Sequence, residues 1–162
     1  MSAEMHKKIR VILADDHPVV RDGLAAMVNQ QADMEVVAEA GDGDAAISLY
    51  SERQPDVMVL DLRMPKRDGL AVVQRVMEIN PKARLLIMTT YDGDEDIFQC
   101  LSHGAKGYIL KDAPRQEILS AIRAMSLLLR PWATSSRTSS SRSVRLGLAM
   151  RCSALAATVE EV

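Results

Sequence analysis

The chain has 162 residues, 48% of them hydrophobic and only 3% aromatic, so it is long enough for one ordinary domain with an aliphatic core. Its formal net charge of −2 is too small to favour any particular class of partner. The two isolated cysteines indicate neither a disulfide framework nor a zinc site. The sequence shows no signal-peptide pattern and no apolar run long enough to span a membrane, so we predict a cytoplasmic protein with no membrane partner.

Short apolar runs recur along the chain and predict strands. Each run is rich in aliphatic residues and is bounded by Asp, Gly, Pro or Thr, which is typical of buried parallel strands. The runs cover residues 9–14, 34–38, 57–60, 85–88 and 107–110.

A helical pattern follows each predicted strand. The apolar residues of these patterns recur every three or four positions, and Pro114 is well placed in the first turn of the last one. The five stripes are Val20, Leu24, Met27 and Val28; Ala46, Leu49 and Tyr50; Leu70, Val73 and Val76; Ile97 and Leu101; and Ile118, Ile122 and Met125. Strand and helix thus alternate five times, which predicts an α/β fold of the flavodoxin-like (βα)5 type, a doubly wound five-stranded parallel sheet.

Polar side chains stand at the carboxyl ends of four predicted strands, where open parallel sheets bind ligands. They are Asp15 with Asp16, Asp61, Thr89 and Lys111. Three carboxylates in one pocket repel each other, and a hard cation such as Mg²⁺ relieves that repulsion. An Asp beside such a cation can attack phosphorus, while a lysine and a hydroxyl can bind phosphoryl oxygens.

Each of these residues has a simpler explanation when it is taken alone. Asp15 and Asp16 suit a helix N-cap, Asp61 a turn, Thr89 a strand end and Lys111 a solvated surface position. Their joint placement at successive strand ends favours a functional site.

These residues lie in segments that resemble the receiver domains of two-component response regulators. The matching segments are residues 9–18, 55–65, 68–69, 86–91 and 104–112. The Asp-Asp-His-Pro opening and the Lys-Asp ending resemble the NarL/FixJ (LuxR-type) branch. The resemblance implies a receiver domain over residues 7–129, in a protein that is not a conventional enzyme.

The resemblance also implies residue roles. Asp61 would be the phospho-acceptor, and Asp15, Asp16, Asp61 and the backbone carbonyl of Arg63 would bind Mg²⁺. Thr89 and Tyr108 would switch the conformation, and Lys111 would pair with the phosphoryl group.

A sensor histidine kinase, or a small phosphodonor, would supply the phosphoryl group. A homodimer would form through the fourth helix and fifth strand, or through the first and fifth helices. Arg63 and Tyr91 flank the predicted pocket and are large enough to screen the phosphoryl group from water, so we expect it to be long-lived. Many receivers have Pro after the lysine, whereas Asp112 follows Lys111 here, so we predict a trans peptide bond.

Residues 130–162 differ in composition from the rest. From Arg130 onwards five Arg face two Glu, a local charge of +3 that leaves −5 for the preceding residues. This low-complexity Ser/Arg/Ala tail is predicted to be disordered or weakly helical. No helix-turn-helix pattern is visible in it, so DNA is a partner only if an output domain is present. We interpret the tail as the product of a frameshift, with a natural basic tail as the alternative.

Other interpretations stay open at this stage. The basic tail could bind DNA backbones weakly and without sequence preference. A phosphohydrolase with an aspartyl nucleophile is a further alternative, although Asp61-Leu62-Arg63 lacks the second acid typical of those enzymes. His17 is interpreted as a loop residue at a helix start, and Cys100 as a packing residue.

Overall fold

The computed structural model describes residues 7–90 and 95–127. Strands and helices alternate along this part of the chain, as predicted. The strands are β1 (Ile9–Ala14), β2 (Met34–Ala40), β3 (Val57–Asp61), β4 (Leu85–Thr89) and β5 (Gly107–Leu110). The helices are α1 (Pro18–Asn29), α2 (Gly43–Arg53), α3 (Gly69–Ile79), α4 (Glu95–Ser102) and α5 (Arg115–Leu127).

The strands form one parallel sheet in the order β2-β1-β3-β4-β5. The chain therefore reverses its direction of winding between β1 and β3, which is where doubly wound sheets bind ligands. This architecture confirms the predicted flavodoxin-like fold. Three strands end later than the predicted apolar runs: β2 extends by two residues to Ala40, and β3 and β4 extend by one residue to Asp61 and Thr89.

Alternate residues of each strand face opposite sides of the sheet, and each side has its own core. Ile12 of β1 packs on one side with buried residues of α2, α3 and α4, such as Ala46, Val76 and Ile97. The neighbouring Val11 packs on the other side with buried residues of α1 and α5. Helices cover both faces, which explains why the strands read as continuous apolar runs rather than as alternating ones.

Two helices begin with a capping aspartate near the loop that follows β3. The Asp42 and Asp68 side chains accept hydrogen bonds from Ala45 N and Ala71 N, 2.9 Å away in both cases. Pro114 lies just before α5 rather than inside its first turn, and its carbonyl accepts bonds from Glu117 N and Ile118 N.

Gly69 lets α3 start directly against the end of β3. A Cβ at this position would lie 2.8 Å from the carbonyl oxygen of Asp61 and from Leu62 Cα. The fold therefore needs a residue without a side chain at this point.

Several predictions concern residues that the structure does not describe. Tyr91 and the tail from residue 130 lie outside the described ranges, so their predicted roles stay predictions.

Between residues 7 and 127, no described helix is long and apolar enough to cross a membrane. No described peptide bond is cis, so the Lys111–Asp112 bond is trans, as predicted. Cys100 is buried in the core, which confirms its packing role.

Candidate functional site at the strand ends

The fold brings the predicted polar residues to one edge of the sheet. Asp15 follows β1, Asp61 ends β3, Thr89 ends β4 and Lys111 follows β5. Asp15, Asp61 and Thr89 are the buried polar residues of the described chain, with 2%, 3% and 4% of their surface exposed. Such burial of polar groups is unfavourable unless the groups are paired, so it marks the position as special.

Lys111 joins the two buried carboxylates. Its Nζ lies 2.8 Å from Asp15 Oδ2 and 3.0 Å from Asp61 Oδ2. The backbone holds the lysine in place, because Lys111 N donates a 2.7 Å hydrogen bond to the carbonyl of Thr89. One positive charge thus faces two negative charges in a water-poor pocket.

This arrangement shifts the pKa values of both Asp61 and Lys111. Burial raises the pKa of Asp61 above its usual value of 3.8, and the nearby Asp15 charge adds to the rise, while Lys111 opposes it. Burial works against the charged form of Lys111, but the two carboxylates outweigh that effect and raise the lysine pKa above 10.5. The lysine is therefore charged at neutral pH, and the Asp61 carboxylate lies in surroundings that disfavour its charge.

The carboxylate oxygens are under-satisfied, which fits a cation site. Asp15 Oδ2, Asp61 Oδ2 and Asp16 Oδ1 are buried atoms that accept no well-aligned hydrogen bond, although Lys111 or His17 lies nearby. Ligand atoms of Asp15, Asp16, His17 and Asp61 all lie within 4.8 Å of one another. Oxygen ligands at this spacing suit Mg²⁺, which takes one or two carboxylates and keeps several waters.

Contacts of Arg63 hold the first part of the loop between β3 and α3. Arg63 N donates a 3.3 Å hydrogen bond to Asp61 Oδ1. The Arg63 guanidinium is exposed and reaches Asp96 on α4, with 3.1 Å between Nη2 and Oδ2. Arg63 therefore connects the predicted phospho-acceptor loop to α4.

The other end of this loop packs against the start of α2. Lys66, at a φ of 65°, pairs with Asp42, and Arg67 pairs with Asp44. A Cβ on Gly43 would overlap the carbonyl oxygen of Arg67. The loop backbone that would present the Arg63 carbonyl is therefore fixed by close contact and by charge.

Tyr108 lies one strand away from Thr89 and faces the core. The residue is 5% exposed and belongs to the same apolar cluster as Ile97 and Cys100 of α4. Tyr108 therefore packs with buried residues of α4, while Thr89 ends the neighbouring strand β4.

The sequence model of the response regulator receiver domain family matches residues 11–123, which is most of the chain. This chain belongs to the response regulator receiver domain family. It is 45% identical over 118 residues to the oxygen regulatory protein NreC of Staphylococcus haemolyticus, a match that covers 72% of this chain and 54% of NreC. It is 44% identical over 117 residues to the transcriptional regulatory protein YxjL of Bacillus subtilis, with the same coverage of 72% and 54%.

A solved receiver domain supports both the fold and the branch. The signal receiver domain of NarL from Mycobacterium tuberculosis aligns with a TM-score of 0.71 and 38% identity, over 74% of this chain and 97% of that one. The receiver domain described here is thus of the NarL lineage, as the sequence predicted. The chain spans about half the length of the curated relatives that it matches.

Sequence reasoning missed several contacts around this receiver site. His17 was interpreted as a loop residue, and it does stand exposed at the start of α1, but its ring faces Asp15 and Asp16. Its position directly after the acidic pair was the available signal. The Arg63–Asp96 contact and the fit of Gly43 under Arg67 depend on how separate segments meet, so no local pattern predicts them.

Proposed function

We propose that the receiver domain accepts a phosphoryl group on Asp61 and acts as a conformational switch rather than as a conventional enzyme. The observation that carries this proposal is the meeting of buried Asp61 with Lys111 and Asp15 at the end of β3. The donor would be the phosphohistidine of a sensor histidine kinase, or a small acyl phosphate. Asp61 and Asp15 are the two buried carboxylates of the described chain, and both contact Lys111.

The transfer needs one bond to form and one to break. An Asp61 carboxylate oxygen attacks the phosphorus atom, and the bond from phosphorus to the leaving atom breaks. The leaving group is acetate when acetyl phosphate is the donor, and an imidazole when phosphohistidine is the donor. Lys111 Nζ, now 3.0 Å from Asp61 Oδ2, is positioned to bind a phosphoryl oxygen as a positive point charge.

Asp15, Asp16, Asp61 and the Arg63 carbonyl would hold Mg²⁺ in this proposal. The under-satisfied oxygens of the three carboxylates support that assignment. When it is bound, the ion neutralises charge on the phosphoryl oxygens. The residues of the chain contribute the rest: burial excludes water from Asp61, and the loop contacts of Lys66 and Arg67 hold the loop that carries Arg63.

The switch would pass from Asp61 through Thr89 and Tyr108 to α4. A phosphoryl group adds charge and acceptor oxygens, and the Thr89 hydroxyl would move to bind one of them. The space left by Thr89 would let Tyr108, whose ring is already largely buried, turn further inward. The surface of α4 and β5 then changes, and the population of the active conformation grows. That surface, or α1 with α5, would form a homodimer.

We further propose that this switching serves transcription regulation. The support is the likeness to NreC and YxjL, whose names describe regulatory proteins. DNA contact would belong to an output domain outside the receiver domain described here.

Intact mass analysis tests the phosphoryl transfer. Wild type and Asp61→Asn are incubated with acetyl phosphate and Mg²⁺, and each mass is compared with that of an untreated sample. We expect wild type to gain the mass of one phosphoryl group, and Asp61→Asn to gain none. A chelator should abolish the gain in wild type. An unmodified wild-type protein, or equal labelling of both proteins, would disprove the proposal.

A further inference from the structure

We propose that His17 is a metal ligand that gives the strand-end cluster a second preference, for borderline transition cations such as Zn²⁺ and Co²⁺. The inference deepens the proposed function, because it uses the same carboxylates as the proposed Mg²⁺ site. Its basis is the position of the imidazole against two of those carboxylates, in a site with under-satisfied buried oxygens.

The spacing of the atoms matches ligands of a single ion. His17 Nδ1 lies 3.0 Å from Asp16 Oδ1 and 3.3 Å from Asp15 Oδ1. Metal bonds of about 2.1 Å place neighbouring ligand atoms about 3.0 Å apart at a right angle and about 3.4 Å apart at a tetrahedral angle. The three atoms can therefore share one cation with little rearrangement. Asp61 belongs to the same cluster, in which one ligand atom from each of Asp15, Asp16, His17 and Asp61 lies within 4.8 Å of the others.

Helix formation does not account for His17. The residue occupies the N-cap of α1, yet its side chain makes no capping hydrogen bond. Ser, Thr, Asp and Asn are the residues that stabilise this position. Packing does not account for it either, because 65% of the side chain is exposed. Only the backbone of His17 serves the local structure, through a 2.8 Å hydrogen bond from its N–H to Asp15 Oδ1.

A nitrogen ligand changes which cations bind well. Imidazole suits Zn²⁺, Co²⁺ and other transition metals, whereas Mg²⁺ prefers oxygen ligands and keeps its water. His17 should therefore strengthen Zn²⁺ and Co²⁺ binding and leave Mg²⁺ binding nearly unchanged. A simple ion pair between a protonated His17 and the aspartates predicts no such difference between metals.

Metal titration of the purified full chain separates these explanations. Metal-free wild type, His17→Ala and His103→Ala are titrated with Zn²⁺ and Mg²⁺ by calorimetry, and with Co²⁺ by visible absorption. His103 is an exposed histidine at the far end of α4 and serves as the matched control. We expect His17→Ala to lose about tenfold or more in Zn²⁺ and Co²⁺ affinity, with a changed Co²⁺ spectrum. Its Mg²⁺ affinity should stay within about twofold.

The outcomes distinguish this inference from the proposed function. Equal Zn²⁺ and Co²⁺ affinities in wild type and His17→Ala overturn the role of His17. Zn²⁺ binding that survives in both His17→Ala and Asp61→Asn indicates a site elsewhere on the chain and also overturns it. Failure of the phosphoryl group to appear on Asp61 concerns the proposed function alone, because the calorimetric comparison does not depend on phosphorylation.

Discussion

Lys111 offers the sharpest test of the electrostatics of the site. The Lys111→Met substitution keeps an unbranched side chain that is one heavy atom shorter, and it removes the charge. The lysine lies 2.8 Å from Asp15 and 3.0 Å from Asp61, and both aspartates are at least nine-tenths buried. Its removal leaves two buried carboxylates with no described cation between them, in a pocket where their ligand oxygens lie within 4.8 Å of each other.

The expected loss of stability follows from these distances. Each contact is worth about 4 kcal/mol when the charge centres are about 4 Å apart and the effective dielectric constant is near 20. The buried ammonium group loses several kcal/mol of hydration, which cancels much of that attraction. The lysine side chain keeps 17% of its exposure, so the loss should fall at the low end of the range for breaking a buried pair. We expect the metal-free variant to lose about 3 kcal/mol in its free energy of unfolding.

Urea denaturation of the metal-free proteins at neutral pH measures this loss. In the Asp61→Asn background the effect of Lys111→Met should fall by about half, since only Asp15 remains charged beside the lysine. Saturating Mg²⁺ should recover more stability in Lys111→Met than in wild type, because the ion replaces the missing charge. Lys82→Met, at an exposed position, should stay within about 0.5 kcal/mol of wild type. A loss below about 1 kcal/mol for metal-free Lys111→Met would refute the reasoning.

Three further predictions concern the surroundings of this lysine. Burial raises the pKa of Asp61 above 3.8, so the folded protein keeps the Asp61 proton to a higher pH than the unfolded chain does. Asp61 therefore lowers the free energy of unfolding as the pH rises through the window above 3.8. Metal-free Asp61→Asn should therefore be more stable than wild type at pH 7, and urea titrations should show the gain vanish as the pH is lowered towards 3.8. Thermal unfolding should show that Gly43→Ala loses about 2 kcal/mol in its free energy of unfolding, because the added Cβ would overlap the Arg67 carbonyl. Gly23→Ala should gain up to about 1 kcal/mol, because an added Cβ there has nothing within 4 Å. Dephosphorylation should be faster in the Arg63→Ala, Tyr91→Ala double variant than in wild type or Lys82→Ala, and an unchanged rate would remove the screening role of Arg63 and Tyr91.

The sequence predicted the fold because two periodic signals agree with each other. Strands buried on both faces, such as β4, read as continuous apolar runs, and the helices read as apolar residues every three or four positions. The residual error lies at strand ends. The apolar runs stop at residues 60 and 88, whereas β3 and β4 extend to Asp61 and Thr89. Polar residues end an apolar pattern before the backbone ladder itself ends.

The sequence predicted which residues meet at the candidate site, but it did not predict the contacts between them. Placement at successive strand ends brings Asp15, Asp61, Thr89 and Lys111 to one edge of a parallel sheet, and this follows from chain order alone. The pairing of Lys111 with both aspartates depends on side-chain reach across β1, β3 and β5. The Arg63–Asp96 contact depends on how α4 packs, which no local pattern contains.

The balance of charge in this pocket supports the proposed switch. Two buried carboxylates share one lysine, so the metal-free site already holds more negative charge than its single described cation offsets. A phosphoryl group on Asp61 would carry close to two negative charges in place of the single carboxylate charge, so the pocket would gain about one negative charge. Lys111 has three N–H donors, so it could bind a phosphoryl oxygen, but its single positive charge would then be shared among more acceptors than its two present ones. We expect the contacts around Asp15 and Thr89 to change as a result, because Lys111 Nζ contacts Asp15 and Lys111 N donates a hydrogen bond to the Thr89 carbonyl.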